Sequence, residues 1–143
     1  MKLWRVSDYA SLDGRGGELF NGRWHHAGHR VVYTAEHSAL ALLETLVRYE
    51  VEQTPPPYQL LEIDVADQLP AVSFTDDVAP ADQDLSMAWG DAWLEALAFP
   101  LARVPSSLAP FAFNYLINPA HPDSRRIKVV RHARYAWDAR LFC

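Results

Sequence analysis

The sequence predicts an α+β domain of short strands with flanking helices. Three observations lead there. Short β-branched and aromatic runs such as residues 30–34, RVVYT, are interspersed with segments of helical period. Turn and breaker residues separate them, at Asn21-Gly22, Gly28, Pro55-Pro56-Pro57, Pro100 and Pro119. The resulting order is strand, loop, strand, helix, strand, loop, helix, strand, loop, strand. That order suits small mixed or antiparallel β-sheets with helices set beside them. A chain of 143 residues has room for one domain, spanning residues 1–143.

The elements follow in order. Residues 3–6, LWRV, alternate and read as an opening strand with Arg5 on one face. Residues 9–18 read as loop around the flexible run Asp13-Gly14-Arg15-Gly16-Gly17, which lacks the lysine-serine helix start of a phosphate cradle. Asn21-Gly22 is a turn, after which Arg23-Trp24 resume an extended pattern; Gly28 supplies a second turn and residues 30–34 a strand. From Ser38, a serine cap, the period becomes helical, and Leu40, Leu43 and Val47 with Ala39, Leu42 and Leu46 form a wide apolar face. Glu52 to Pro57 ends the helix as a polyproline linker, and residues 58–65, YQLLEIDV, form a strand. Residues 66–85 are acidic and proline-broken, a surface loop or lid. Residues 89–99 regain helical spacing, with Trp89, Trp93 and Leu97 on one face as core, and Pro100 stops them. Strands at 101–105 and 127–130, an apolar segment within 109–118, a loop through Pro119, His121 and Pro122, and a strand or extended tail at 136–142 complete the chain.

Composition narrows the function. The net charge of −5 argues against direct nucleic-acid binding, which needs clustered cations to neutralise phosphates, although basic residues gather between 124 and 140. The one cysteine, Cys143, forbids an intrachain disulfide and fits a reducing compartment. With no signal-like N-terminus and no run of about 18 apolar residues, no membrane association is expected and the protein is assigned to the cytoplasm.

Several residue sets invite chemistry. Glu44 lies in the apolar part of its helix; it is either an i,i+4 partner of Arg48 on a solvated face or a carboxylate directed into a cleft. Arg5 is either an edge-strand charge or a fork for a phosphate. His25, His26 and His29 have no acidic or cysteine partner at a usual ligand interval, so they read as solvated loop histidines and no metal is expected. Ser106 or Ser107 with His121 and Asp123 lacks the nucleophile elbow of a serine hydrolase. The more coherent set is Arg5, Arg23, Tyr33, Glu44, Ser106 and Asn114. It suits a dinucleotide: arginine for a diphosphate, an aromatic face for nicotinamide, and a carboxylate for an oxocarbenium-like transition state.

These residues also carry a family resemblance. Trp4-Arg5-Val6, Gly22-Arg23-Trp24, Gly28, Val32-Tyr33-Thr34-Ala35, the stretch Ala39 to Glu44, Val104-Pro105-Ser106, Asn114, Asn118-Pro119 and Asp138 to Leu141 stand in the order found in RES-domain proteins. The chain resembles that family, the toxin half of RES–Xre bacterial toxin–antitoxin pairs, over nearly its whole length. The resemblance implies an ADP-ribosyltransferase-like fold and a type II toxin that uses NAD as its substrate. The reaction would be hydrolysis or phosphorolysis of the nicotinamide–ribose bond, or transfer of ADP-ribose to a protein. It implies that Arg5 and Arg23 hold the phosphates and ribose and that Tyr33 faces the nicotinamide. Glu44 would stabilise the ribosyl cation, with Ser106 and Asn114 bonding nearby. It further implies an Xre-type DNA-binding antitoxin as partner and a homodimer within that complex. Two departures stand out: the chain has Asn21-Gly22-Arg23-Trp24-His25 where relatives often have Gly-Gly-Arg-Trp-Asn, and Val6 follows Arg5 where some have an aromatic. The rival without catalysis is an interaction domain that holds a partner through residues 76–84 and a tryptophan surface.

Overall fold

The computed structural model describes residues 1–49 and 54–142. Its strands are β1 (Lys2–Val6), β2 (Val32–Ala35), β3 (Tyr58–Val65), β4 (Ala71–Ser73), β5 (Leu101–Pro105), β6 (Phe113–Ile117) and β7 (Ile127–Tyr135). Its helices are α1 (Arg15–Leu19), α2 (Ser38–Leu46) and α3 (Gln83–Ala96), with 3-10 turns at Pro122–Arg126 and Ala139–Phe142. The architecture is α+β and mixed. All the strands join one seven-stranded sheet in the order β4-β5-β6-β2-β1-β3-β7, in which only β4 and β5 run parallel.

Strand alternation divides the core between the two faces of the sheet. On one face Leu3, Val32, Leu61, Ile63, Leu101 and Ile117 form a buried cluster, which Leu12 and Leu69 help to cover. Their neighbours along the same strands point the other way. There Ala102, Val104 and Leu116 meet Trp24, Trp93 and Leu94, while Ala35 meets Leu40 and Ala41 of α2. Helices α2 and α3 therefore share a face. Leu94 and Trp93 are nearly inaccessible and Trp89 packs against the same cluster, so the tryptophans are core as their spacing predicts, whereas Leu97, expected on the same face, lies past the helix end and is exposed.

Differences from the sequence reading have local causes. Residues 9–18 are not all loop: Gly14, at φ 72°, turns the chain into α1. Arg23-Trp24 are not extended but form the turn between Gly22 and His25, which are bridge partners. The cap of α2 is His37, whose Nδ1 accepts from the Ala39 N–H at 3.1 Å, and not Ser38. The apolar face of α2 is narrower than its sequence, since Leu43 and Val47 are exposed. The helix ends at Leu46, ahead of the prolines, while Glu52 and Gln53 of the expected linker lie outside the described residues, as does Cys143. Within 66–85 the structure has β4, which exists by pairing with β5, and the start of α3, where Asp82 accepts from the Asp84 N–H. The tail at 136–142 is not extended throughout; it turns 3-10 from Ala139. Arg5 is no edge residue, because β1 lies between β2 and β3.

Candidate active site

A cleft opens where β1 and β2 part. Their register contains one pair, Trp4 opposite Ala35. Past it the Arg5 guanidinium takes over: its Nη1 donates to the Tyr33 carbonyl at 2.8 Å. The resulting cleft, about 100 Å³, is lined by Arg5, Tyr33, Glu44, Thr45, Arg48 and Asn114 among others. Strand β1 supplies the first of these, β2 the second, α2 and its C-terminal turn the next three, and β6 the last.

Glu44 is held from across the fold. Its Oε1 accepts from the Ser106 hydroxyl at 2.7 Å and from the Asn114 Nδ2 at 2.8 Å. No ion pair joins it to Arg48 among the described residues, which removes the i,i+4 reading. Both bonds fall on one oxygen, so the carboxylate is oriented while its other oxygen keeps its lone pairs. Ser106 is itself committed. Its Oγ gives its hydrogen to Glu44 and accepts the N–H groups of Leu108 (3.1 Å) and Ala109 (3.2 Å). Such a hydroxyl is a strut, not a nucleophile. His121 caps the Pro122–Arg126 turn by accepting from the Asp123 N–H, so the serine-hydrolase set is not assembled.

Two buried polar atoms here lack partners: the Arg5 Nε, a donor, and the Asn114 Oδ1, an acceptor. Such orphans are uncommon in a folded interior and mark places where a ligand can bond. Burial and the neighbouring Arg48 lower the Arg5 pKa, with Asp13 opposing. Two cations beside one cleft favour an anion, and a buried guanidinium stays charged because its ordinary pKa is so high. The role of Arg48 as a cleft residue was missed from sequence, where it served only as a possible partner for Glu44. The available signal was its i+4 spacing, which puts both on one helix face.

Tyr33 lines the cleft, and its hydroxyl is not free. The hydroxyl accepts the Trp24 N–H at 3.0 Å and lies 2.7 Å from the His25 Nδ1. Burial raises its pKa strongly, so this phenol does not trade protons near neutrality. His25 is correspondingly not a solvated loop histidine; it is 2% exposed. The other two histidines are more open and tie the loop to α3, His26 to Asp91 at 2.6 Å and His29 to Glu95 at 3.5 Å. Arg23 occupies the Gly22–His25 turn, half-buried, with its Nε unpartnered, and is not among the side chains that line the cleft.

A larger open cavity, about 580 Å³, is lined by Asp13, Arg30, His121, Ser124 and Arg125 among others. Much of its polar lining is already engaged: Arg30 pairs with Glu18, and the Ser124 hydroxyl donates to the Asn118 carbonyl. It contains no glutamate held by two donors, and size does not outweigh that chemistry. Among the described residues no cluster of histidine, cysteine, aspartate or glutamate is arranged to hold a metal, and no helix is long and apolar enough to cross a membrane.

Comparison with known proteins identifies the family of this chain. The sequence matches the RES domain family over residues 2–138. It is 39% identical over 149 aligned residues to "Toxin Res" of Pseudomonas putida, covering 99% of this chain and 100% of the relative. It is 33% identical to the "Prs ADP-ribosylating toxin" of a Sphingobium species, covering 97% and 95% of the two chains. The fold matches a chain of the crystal structure of the M. tuberculosis MbcT–MbcA toxin–antitoxin complex with a TM-score of 0.70 at 16% identity, covering 94% of this chain and 84% of that one. The chain belongs to the RES-domain family.

Proposed function

We propose that this protein is the toxin of a type II toxin–antitoxin pair and that its cleft breaks the nicotinamide–ribose bond of NAD. The observation that carries the reading is the Glu44 carboxylate, fixed by Ser106 and Asn114 through one oxygen beside Arg5 and Arg48. The small cleft receives the reacting end of the dinucleotide, and the remainder lies along the open rim, since ordinary ligand pockets run to roughly 300–1,000 Å³. Arg5 and Arg48 hold the diphosphate, with Arg23 approaching from the neighbouring turn, and the Tyr33 ring faces the nicotinamide. The Arg5 Nε and Asn114 Oδ1 find partners on the ribose or carboxamide.

In the reaction the C1′–N bond breaks and its electron pair leaves with neutral nicotinamide. The positive charge left on the ribose is stabilised by Glu44, which is already oriented and needs no reorganisation. Water then attacks C1′ and loses a proton, giving ADP-ribose; phosphate gives its 1″-phosphorylated form. We place this activity in the cytoplasm and assign an Xre-type DNA-binding antitoxin as the partner, with the toxin a homodimer in the complex. The name of the Sphingobium relative supports a second reading, transfer of ADP-ribose to a protein by the same cleft. The interaction-domain reading is weaker, because Trp24 and Trp93 are buried and offer no tryptophan surface.

The test is incubation of purified full-length protein with NAD, with products identified by mass, beside Glu44→Gln. Nicotinamide release that drops by about a hundredfold or more in the variant, with folding intact, supports the reading. Intact NAD under water, phosphate and protein-acceptor conditions overturns it.

A further inference from the structure

Four residues around the Gly22–His25 turn form one hydrogen-bonded chain. The His25 Nε2 lies 2.9 Å from the Gly17 carbonyl, and a carbonyl only accepts, so Nε2 carries the hydrogen. In the neutral ring Nδ1 is then the acceptor. The Tyr33 hydroxyl receives the Trp24 N–H at 3.0 Å and directs its own hydrogen to Nδ1 at 2.7 Å. Every polar atom of the imidazole is used. Gly22 makes the approach feasible, because a Cβ there would collide with the Tyr33 hydroxyl and stand 2.7 Å from the His25 Nδ1. His25 is one of three histidines in five residues, set apart in the sequence only as a departure from the asparagine of relatives, and the fold is what buries it.

We propose that His25 is the positioning residue of the cleft, tying the Tyr33 hydroxyl to the α1 carbonyl of Gly17 so that the Tyr33 ring stands as a rigid wall against the nicotinamide. This rests on the NAD reading above and deepens it. His25 touches no substrate. It acts by removing the freedom of the ring that does, and a wall already in place lowers the ordering cost of binding. The contribution is to ground-state and transition-state binding alike, so it belongs in KM and not in kcat.

Two substitutions separate the halves of the tie. His25→Asn places an amide where Nδ1 stands and can still accept from Tyr33; His25→Gln reaches toward Gly17 and abandons Tyr33. With purified full-length protein both variants break the tie: His25→Gln, which abandons Tyr33, is expected to raise KM for NAD about tenfold, and His25→Asn, which loses only the anchor to Gly17, by less, with kcat within about threefold in both. A merely structural role would reduce the amount of folded enzyme and leave KM unchanged, and that result overturns the proposal. Nitrogen-15 NMR of the wild-type imidazole supplies a readout independent of folding in the variants and of turnover. A His25 with Nε2–H and bare Nδ1 supports the tie, and an Nδ1–H ring overturns it. Should the wild type leave NAD intact, the NAD reading falls, and the ring signal alone then decides whether the tie exists.

Discussion

Arg5 and Ser106 show how single side chains acquire meaning from their partners. Arg5 combines a charge, a bond to the Tyr33 carbonyl and an unpartnered Nε inside the cleft. Arg5→Lys keeps the charge but gives up the fork, and is expected to lower kcat/KM for NAD by about tenfold or more in steady-state assays. Arg23→Lys should cost less, because Arg23 is not a lining residue. Ser106 donates to Glu44 and accepts two backbone N–H groups. Ser106→Ala therefore strands those donors and frees Glu44. Urea unfolding should show a loss of about 1–3 kcal/mol, together with slower NAD cleavage. If the hydroxyl were a nucleophile instead, the variant would lose activity with no loss of stability.

At the scale of elements, the cleft depends on how α3 and the Gly22–His25 turn meet. Gly90 sits in the middle of α3, where glycine costs about 1 kcal/mol relative to alanine by helix propensity alone. Contact reverses that preference. A Cβ at Gly90 would collide with the Trp24 carbonyl, a backbone atom that cannot rotate away. Gly90→Ala is thus expected to destabilise the protein by about 2 kcal/mol or more, read as a lower denaturation midpoint, despite its better propensity. The turn that would be displaced carries Trp24 and His25, so KM for NAD should rise as well. Helix α2 contributes differently, since its buried residues Leu40 and Ala41 anchor it on the sheet and leave Glu44 to face Ser106 and Asn114.

For the whole molecule, His26 on Asp91 and His29 on Glu95, one helical turn apart, clasp the loop to α3. Burial by itself would raise the Asp91 pKa, but the His26 N–H and ring outweigh it and hold the carboxyl below its ordinary value. A depressed folded pKa gives stability that is present above the unfolded value, near 3.8, and is lost as pH falls through the lower folded one. Thermal denaturation below about pH 4 should accordingly show the wild type losing stability relative to Asp91→Asn, with the gap fully developed by about pH 5. A gap independent of pH throughout would remove the clasp from the account of acid stability.

Strand β3 and strand β5 were legible in the sequence to the residue, because they are continuous apolar or alternating runs between clear breakers, and burial on a sheet requires that pattern. The core role of the tryptophan stripe was legible for the same reason. So was the membership of Glu44, Ser106 and Asn114 in one candidate set, through residue chemistry and family resemblance. Strand β4 was not, since three residues carry no pattern and it forms only by pairing with β5. Nor could local sequence tell that Arg5 is interior, that Glu44 answers to Ser106 and Asn114 at separations of 62 and 70 residues, or that His25 is buried while His26 and His29 are not. Periodicity records which face a residue presents to the core, and that is a local property. Which partner waits on that face is decided by strand order and register, and those exist only once the sheet has closed over β1 and β2.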